Sequence, residues 1–244
     1  MVRPAFSIAL LSEDSSERTW KGLRRVVEKM LRRFEDDGFT PRVEIVPPRP
    51  DLRPVLIANR WRSTKPRDQA DKRELWRYIA RKIAEAGGFV FFHYDGDEVW
   101  SRRANSEAIE QFDSEVRVRV AQVLGGAGRS PAQVSELLTR LVECVPFYSV
   151  ESWTYQATDR AVELCQANCS GAHVATFQSW AANRAALDDV SKPKDSCCLK
   201  DRHNDDLGDR VQVWEVVGAG RSLTAFAWNL YACVDLRPAL AFPD

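Results

Sequence analysis

The stretch Gly88 to Trp100, GFVFFHYDGDEVW, constrains the fold more than any other part of the chain. Its four consecutive apolar or aromatic residues, Phe89 to Phe92, leave no polar face. An uninterrupted run of this kind is how a strand buried on both faces of a parallel sheet reads. Parallel strands need helical crossovers, and ligands of open α/β sheets sit beyond the carboxyl ends of the strands. Here that end carries two acids, Asp95 and Asp97.

The flanking sequence supplies the crossovers. AFSIALL, residues 5–11, predicts a first strand, and SEDSS offers capping oxygens to an amphipathic helix. Trp20, Leu23, Val27, Met30, Leu31 and Phe34 form its apolar stripe, and Gly38 ends it. RVEIV at 42–46 alternates as a strand, PPRPDLRP breaks regular structure to about residue 55, and the arginine-rich 58–69 predicts an exposed loop. Leu75, Ile79 and Ile83 mark a second helix, and Ile109, Phe112, Val116, Val120 and Val123 a third. Ser130, Pro131 and Gln133 open another helix expected to reach about Cys144, after which VPFYSVESW at 145–153 reads as a fourth strand.

The expected fold is therefore α/β: a mostly parallel sheet flanked by helices over residues 1–155, with an α-rich extension over 156–244 packing on the same core. That extension reads as helices at 158–168 and 172–187, an acidic loop at 191–209, a strand RVQVWEVV at 210–217 and a closing helix at 222–235.

A chain of 244 residues with 44% hydrophobic and 29% charged side chains is long and apolar enough for a sizeable core, which excludes disordered and membrane-spanning classes. FSIALL is too short and lacks the cleavage pattern of a signal peptide. Six irregularly spaced cysteines fit a reducing cytoplasm better than a disulfide framework. The net charge is zero, yet residues 42–82 hold twelve Lys or Arg against five Asp or Glu. Arg60, Arg62, Lys65 and Arg67 within it are candidate phosphate contacts, with Trp61 placed to stack on a base. The same run equally describes a solvated face.

If the sheet is right, Glu13 lies just past the first strand, Asp95 and Asp97 past the third, and Glu151 at the end of the fourth. Converging carboxylates repel one another unless a cation neutralises them, and hard oxygen ligands suit Mg²⁺ or Mn²⁺. Strand alternation places His93 on the same side as both aspartates.

A Glu after the first strand, followed by a helix, with Asp-X-Asp after a later apolar strand, resembles the TOPRIM domain shared by topoisomerases, primases and OLD-type nucleases. IALLSEDSSERTW and FVFFHYDGDEVW carry the likeness, which covers roughly residues 5–155. VESW and SKPKDSCCLK are similar to segments of the small stand-alone TOPRIM-like proteins of bacterial anti-phage defence loci. The resemblance implies a Mg²⁺-dependent nuclease, with Glu13 as acid or base and metal ligand and Asp95 and Asp97 as metal ligands; Glu17, Glu151 and Lys194 are added as candidates from position alone. It also implies a toxic effector working beside an ABC-type ATPase, on DNA or RNA. One position departs from the pattern: Asp14 stands where the family has Gly.

Other readings stay open. Asp95-Gly96-Asp97 is also a favoured turn, and Glu13 also suits the first turn of a helix. FFHYDGDEV fits the haloacid-dehalogenase signature with Asp95 as nucleophile, Lys194 or Lys200 and the Asp205–Asp206 pair serving its later motifs, although a full βαβα precedes it here. A non-catalytic binding or regulatory subunit is a further alternative. Cys165, Cys169, His173, Cys197, Cys198 and His203 hold a spacing compatible with zinc without a paired C-x2-C knuckle, and buried thiols account for them equally. GGAGRS and GAGRS lack a Walker lysine, which excludes a nucleotide-binding P-loop.

Overall fold

A computed structural model describes residues 5–14, 16–31 and 42–239. Phe34 and Gly38, expected in and after the first helix, lie outside the described residues. Four strands, β1 (Ala5–Ser12), β2 (Arg42–Val46), β3 (Gly88–His93) and β4 (Leu141–Cys144), form one all-parallel sheet in the order β2-β1-β3-β4. The apolar run of β3 is fully buried and lies between β1 and β4, as its composition requires.

Alternation along the strands builds two cores. Ile8, Leu10, Phe89 and Phe91 face one side, where α1 (Glu17–Leu31) and the helices of the last third cover them. Ala9, Leu11, Val90 and Phe92 face the other, against the helix Gln69–Ala84 and the helical stretch 107–126. Each large side chain buried this way contributes roughly 1.5–3 kcal/mol. The first core draws in Phe177, Leu207, Val216, Phe226 and Leu236, so the described part of the last third, residues 156–239, completes the core of the sheet it follows.

Several elements differ from the sequence expectation. The fourth strand lies earlier, at Leu141–Cys144, and the helix before it spans only Pro131–Leu138. Pro146 has no N–H for a ladder and Tyr148 takes a positive φ of 58°, so residues 145–150 turn instead, and Glu151 opens the short helix Glu151–Thr154. Within the expected loop at 58–69, Ile57–Arg62 and Pro66–Asp68 are 3-10 turns. Trp61 is 0% exposed, packed edge-on against Phe92 and Phe112 and beside Tyr94, which removes it as a base-stacking platform. The expected strand at 210–217 is the helix Val213–Ala219, whose Val213 and Val216 point into the first core, and the acidic loop contains the helix Asn204–Arg210. The second extension helix spans Val174–Ala182, and the closing helix stops at Ala232 before a 3-10 turn.

The Asn204–Arg210 helix lies against α1 at glycine contact distance. A Cβ on Gly22 would meet the Asn204 carbonyl oxygen at 2.4 Å, and one on Gly208 would meet the Gly22 oxygen at 2.5 Å. Two residues without side chains allow this approach, and it brings Asn204, fully buried, into hydrogen-bond reach of Thr19 and Glu151. No described helix is long and apolar enough to cross a membrane.

Candidate metal centre

Ser12 and His93 are the paired last residues of β1 and β3, so the two central strands deliver their following residues to one place. Glu13 N–H donates to the His93 carbonyl at 3.3 Å, and Glu13 Oε1 accepts from the Asp95 backbone N–H at 2.7 Å. That pair of bonds ties the turn after β1 to the turn after β3.

The Glu13 carboxylate is enclosed by donors. Oε2 accepts from Trp61 Nε1 at 3.3 Å and from the Arg62 guanidinium at 3.5 Å. The Asn59 amide, oriented nitrogen-first, donates to the same oxygen at 2.6 Å. Arg62 is itself held, stacked on Trp61 and Tyr94 and donating to the Asp95 carbonyl. Burial raises the pKa of Glu13 and Arg62 opposes the rise.

Asp14, His93 and Asp95 each offer one ligand atom, all within 4.8 Å of one another. His93 is 0% exposed, and burial lowers its pKa to about 3, so it is a neutral imidazole. Its Nδ1 lies 2.9 Å from Ser12 Oγ, which also accepts from the Asp14 N–H at 3.2 Å. The tautomer with Nδ1–H donating to Ser12 leaves the Nε2 lone pair facing Asp95 Oδ1, 3.5 Å away. Both atoms are sealed from solvent and neither has a hydrogen-bond partner. The Asp95 side chain is 37% exposed, so one edge of its carboxylate is open while Oδ1 is enclosed.

Negative charge is concentrated here. Burial, then Glu151 and Glu13, raise Asp14 to about 7, and burial with Glu13, Asp14 and Glu151 carries Asp95 well above its ordinary value. Glu151, 2% exposed, accepts from Asn204 Nδ2 at 2.8 Å, and Lys194 Nζ stands 3.6 Å from the same oxygen. Burial works against the charged form of Lys194, yet its bond to Asp201 and the field of Glu151 raise its pKa.

The fold thus brings together Glu13, Asp95, Glu151 and Lys194, with His93. Asp97 is a correction to the expected ligand set. Beyond β3 the chain no longer alternates, Gly96 N–H donates to the Pro146 carbonyl, and the Asp97 carboxylate accepts from Ser106 Oγ and from Ala108 N–H at 3.0 Å. It closes the 97–108 loop onto the helix Glu107–Phe112, which Ser106 caps. Asp14 takes its place beside Asp95. Sequence reasoning missed Asp14 because it entered only as a departure from a family pattern; its position next to Glu13, in the turn leaving a central strand, was the available signal. Glu17 points to solvent and pairs with Lys21.

The four basic candidates divide. Arg60 is bound to Asp68 and Asp71, and Arg62 to Glu13, which spends both as free phosphate contacts. Lys65 and Arg67 remain exposed. The acid pair of the phosphatase reading is engaged elsewhere, Asp205 near Arg18 and Arg25 and Asp206 with Arg160.

The donor set fits a divalent cation. Two unpartnered buried ligand atoms and surplus negative charge call for a positive centre, and one imidazole among carboxylates suits Mn²⁺ or a later first-row ion better than Mg²⁺, which prefers oxygen alone. Compared with protein-family models, with curated proteins and with solved structures, the chain finds no match in any of the three.

Proposed function

We propose that the chain is a nuclease that hydrolyses phosphodiester bonds of DNA or RNA with a divalent cation, Mn²⁺ or Mg²⁺, held by Asp14, His93 and Asp95. The observation that carries this reading is the pair of buried, unpartnered ligand atoms, His93 Nε2 and Asp95 Oδ1, at the carboxyl edge of a parallel sheet. A bound ion would neutralise phosphoryl oxygens and acidify a water. The chain's own residues supply the rest. Glu13 fixes the Asp95 backbone, Ser12 orients the imidazole, and Asn204 holds Glu151 at the rim. Lys194, its side chain 40% exposed and shared between Asp201 and Glu151, is the cation a phosphate would meet beside the cluster by exchanging one of those partners, and Lys65 and Arg67 are the exposed bases of the predicted grip. The role of a toxic defence effector beside an ABC-type ATPase rests on the TOPRIM-like resemblance, and a cytoplasmic location on the cysteine usage.

The alternative of a non-catalytic subunit has one observation in its favour: Glu13 has its oxygens occupied by protein donors, as in a structural clasp. Incubation of purified protein with single- and double-stranded DNA and with RNA, in Mn²⁺, Mg²⁺ or chelator, separates the two. Metal-dependent cleavage that Asp95→Asn and Lys194→Ala abolish, with the circular dichroism spectrum unchanged, supports the nuclease. Failure of Mn²⁺ to bind the wild-type protein in calorimetry would sink it.

A further inference from the structure

The loop leaving the metal site carries an aromatic and basic surface that the metal chemistry does not use. Trp100 opens the 3-10 turn Trp100–Asn105, whose sequence WSRRAN sets Arg102 and Arg103 close behind the ring. The indole is half-buried and meets Phe147 edge-on, with ring centroids 5.3 Å apart at 82°. The Arg103 guanidinium lies over the indole, 4.9 Å from its centroid. Stacking of this kind uses none of a guanidinium's five N–H donors, and Arg103 has no carboxylate partner among the described residues. Arg102, its side chain 70% exposed, has Glu98 at 3.9 Å. Arg60 and Arg62, by contrast, have donors committed to Asp68 and Glu13.

Both supports of the ring are tethered to the carboxylate cluster. The Gly96 N–H donates to the Pro146 carbonyl, which lays the turn after β3 along residues 146–147, and Asp97 fastens the far end of the loop at Ser106 and Ala108. Trp100 follows Asp95 by five residues, and Phe147 precedes Glu151 by four. Five residues span at most about 18 Å of backbone, so the ring stands within a few nucleotides of any phosphate held at Asp95.

We infer that Trp100, Arg102 and Arg103 form a platform for single-stranded nucleic acid, on which an unpaired base stacks against the indole while the two guanidiniums take flanking phosphates. Base stacking on an aromatic ring tolerates any sequence, because every base has a π-face. A duplex keeps its bases inside its own stack and offers the ring none of them, so the platform favours unpaired strands. The fold buries Trp61, and Trp100 supplies the half-exposed tryptophan beside unspent arginines. This inference rests on the nucleic-acid part of the proposed function and not on cleavage.

Fluorescence anisotropy in chelator, where no metal-dependent cutting consumes the probe, tests it with a labelled single strand, as DNA and as RNA, and with the matching duplex. Trp100→Ala should weaken single-strand binding about tenfold or more, as loss of a stacked base does, and duplex binding by no more than about twofold. Trp100→Phe should keep most of the affinity, since it keeps an aromatic face. Arg103→Ala should lower the salt dependence by about one phosphate contact. In the wild-type protein, which avoids any folding defect of the variants, a strand with abasic residues in place of its bases should bind about tenfold or more weakly than the intact strand of equal charge. Single-strand affinity unchanged in Trp100→Ala, an equal loss on the duplex, or an abasic strand held as tightly as the intact one overturns the inference. The nuclease reading fails separately: protein that binds single strands through Trp100 yet cleaves nothing in Mn²⁺ keeps the platform and loses the enzyme.

Discussion

Replacing Asp14 by Asn should make the metal-free protein more stable and the metal-bound protein less so. Asp14 titrates near 7 in the fold against an ordinary 3.8, because burial and the charges of Glu151 and Glu13 disfavour its ionised form. A displacement of about three pH units corresponds to about 4 kcal/mol, reduced to about 2 kcal/mol here because the side chain is only half-buried. The folded-state pKa lies above the unfolded one, so between pH 4 and about 7 the folded chain holds the extra proton and stability falls as pH rises. Asn imitates the protonated acid and removes this fall. Urea unfolding in chelator at pH 8 should find Asp14→Asn about 2 kcal/mol more stable than wild type, or ~4–8 °C higher in Tm. At pH 4 the two should be nearly equal. Mn²⁺ at about 100 times its dissociation constant should then add ~2.7 kcal/mol to wild type and much less to the variant. A variant no more stable than wild type in chelator at pH 8, or one that Mn²⁺ stabilises equally, would refute the reasoning.

Asp97→Ala should cost about 1–2 kcal/mol by urea unfolding, through loss of its bonds to Ser106 and Ala108, while leaving Mn²⁺ affinity in calorimetry within a few-fold of wild type; loss of binding equal to that of Asp95→Ala would return Asp97 to the ligand set. Gly22→Ala should lower stability by roughly 1–3 kcal/mol, since its Cβ would collide with the Asn204 carbonyl, and calorimetric unfolding measures it. Trp61→Ala should cost roughly 3–5 kcal/mol, as a buried tryptophan does; an unchanged Tm with impaired nucleic-acid binding would show that the ring acts at the surface instead.

The parts of the fold legible in the sequence were those whose burial leaves a period. Phe89 to Phe92 announced a central strand, and the spacing Leu23, Val27, Met30 announced α1, because both elements bury the same side chains that define their patterns. Residues 145–153 and 210–217 misled for the complementary reason. Their apolar residues alternate, yet Pro146 and the positive φ at Tyr148 turn the first, and the second packs as a helix in a core already supplied with strands. At the site, Glu13 and Asp95 were readable from their places after strands, whereas the role of Asp97 depends on Ser106 and Ala108, nine and eleven residues away. No local pattern encodes which way a carboxylate turns once the strand has ended.

The glycine contact between α1 and the Asn204–Arg210 helix has a consequence for synthesis. The sheet and its first acids leave the ribosome early, yet the amide that steadies Glu151 and the lysine beside it come from residues 204 and 194. A nascent chain therefore leaves Glu151 without its amide and lysine partners until residues 194–204 have been translated and docked against α1.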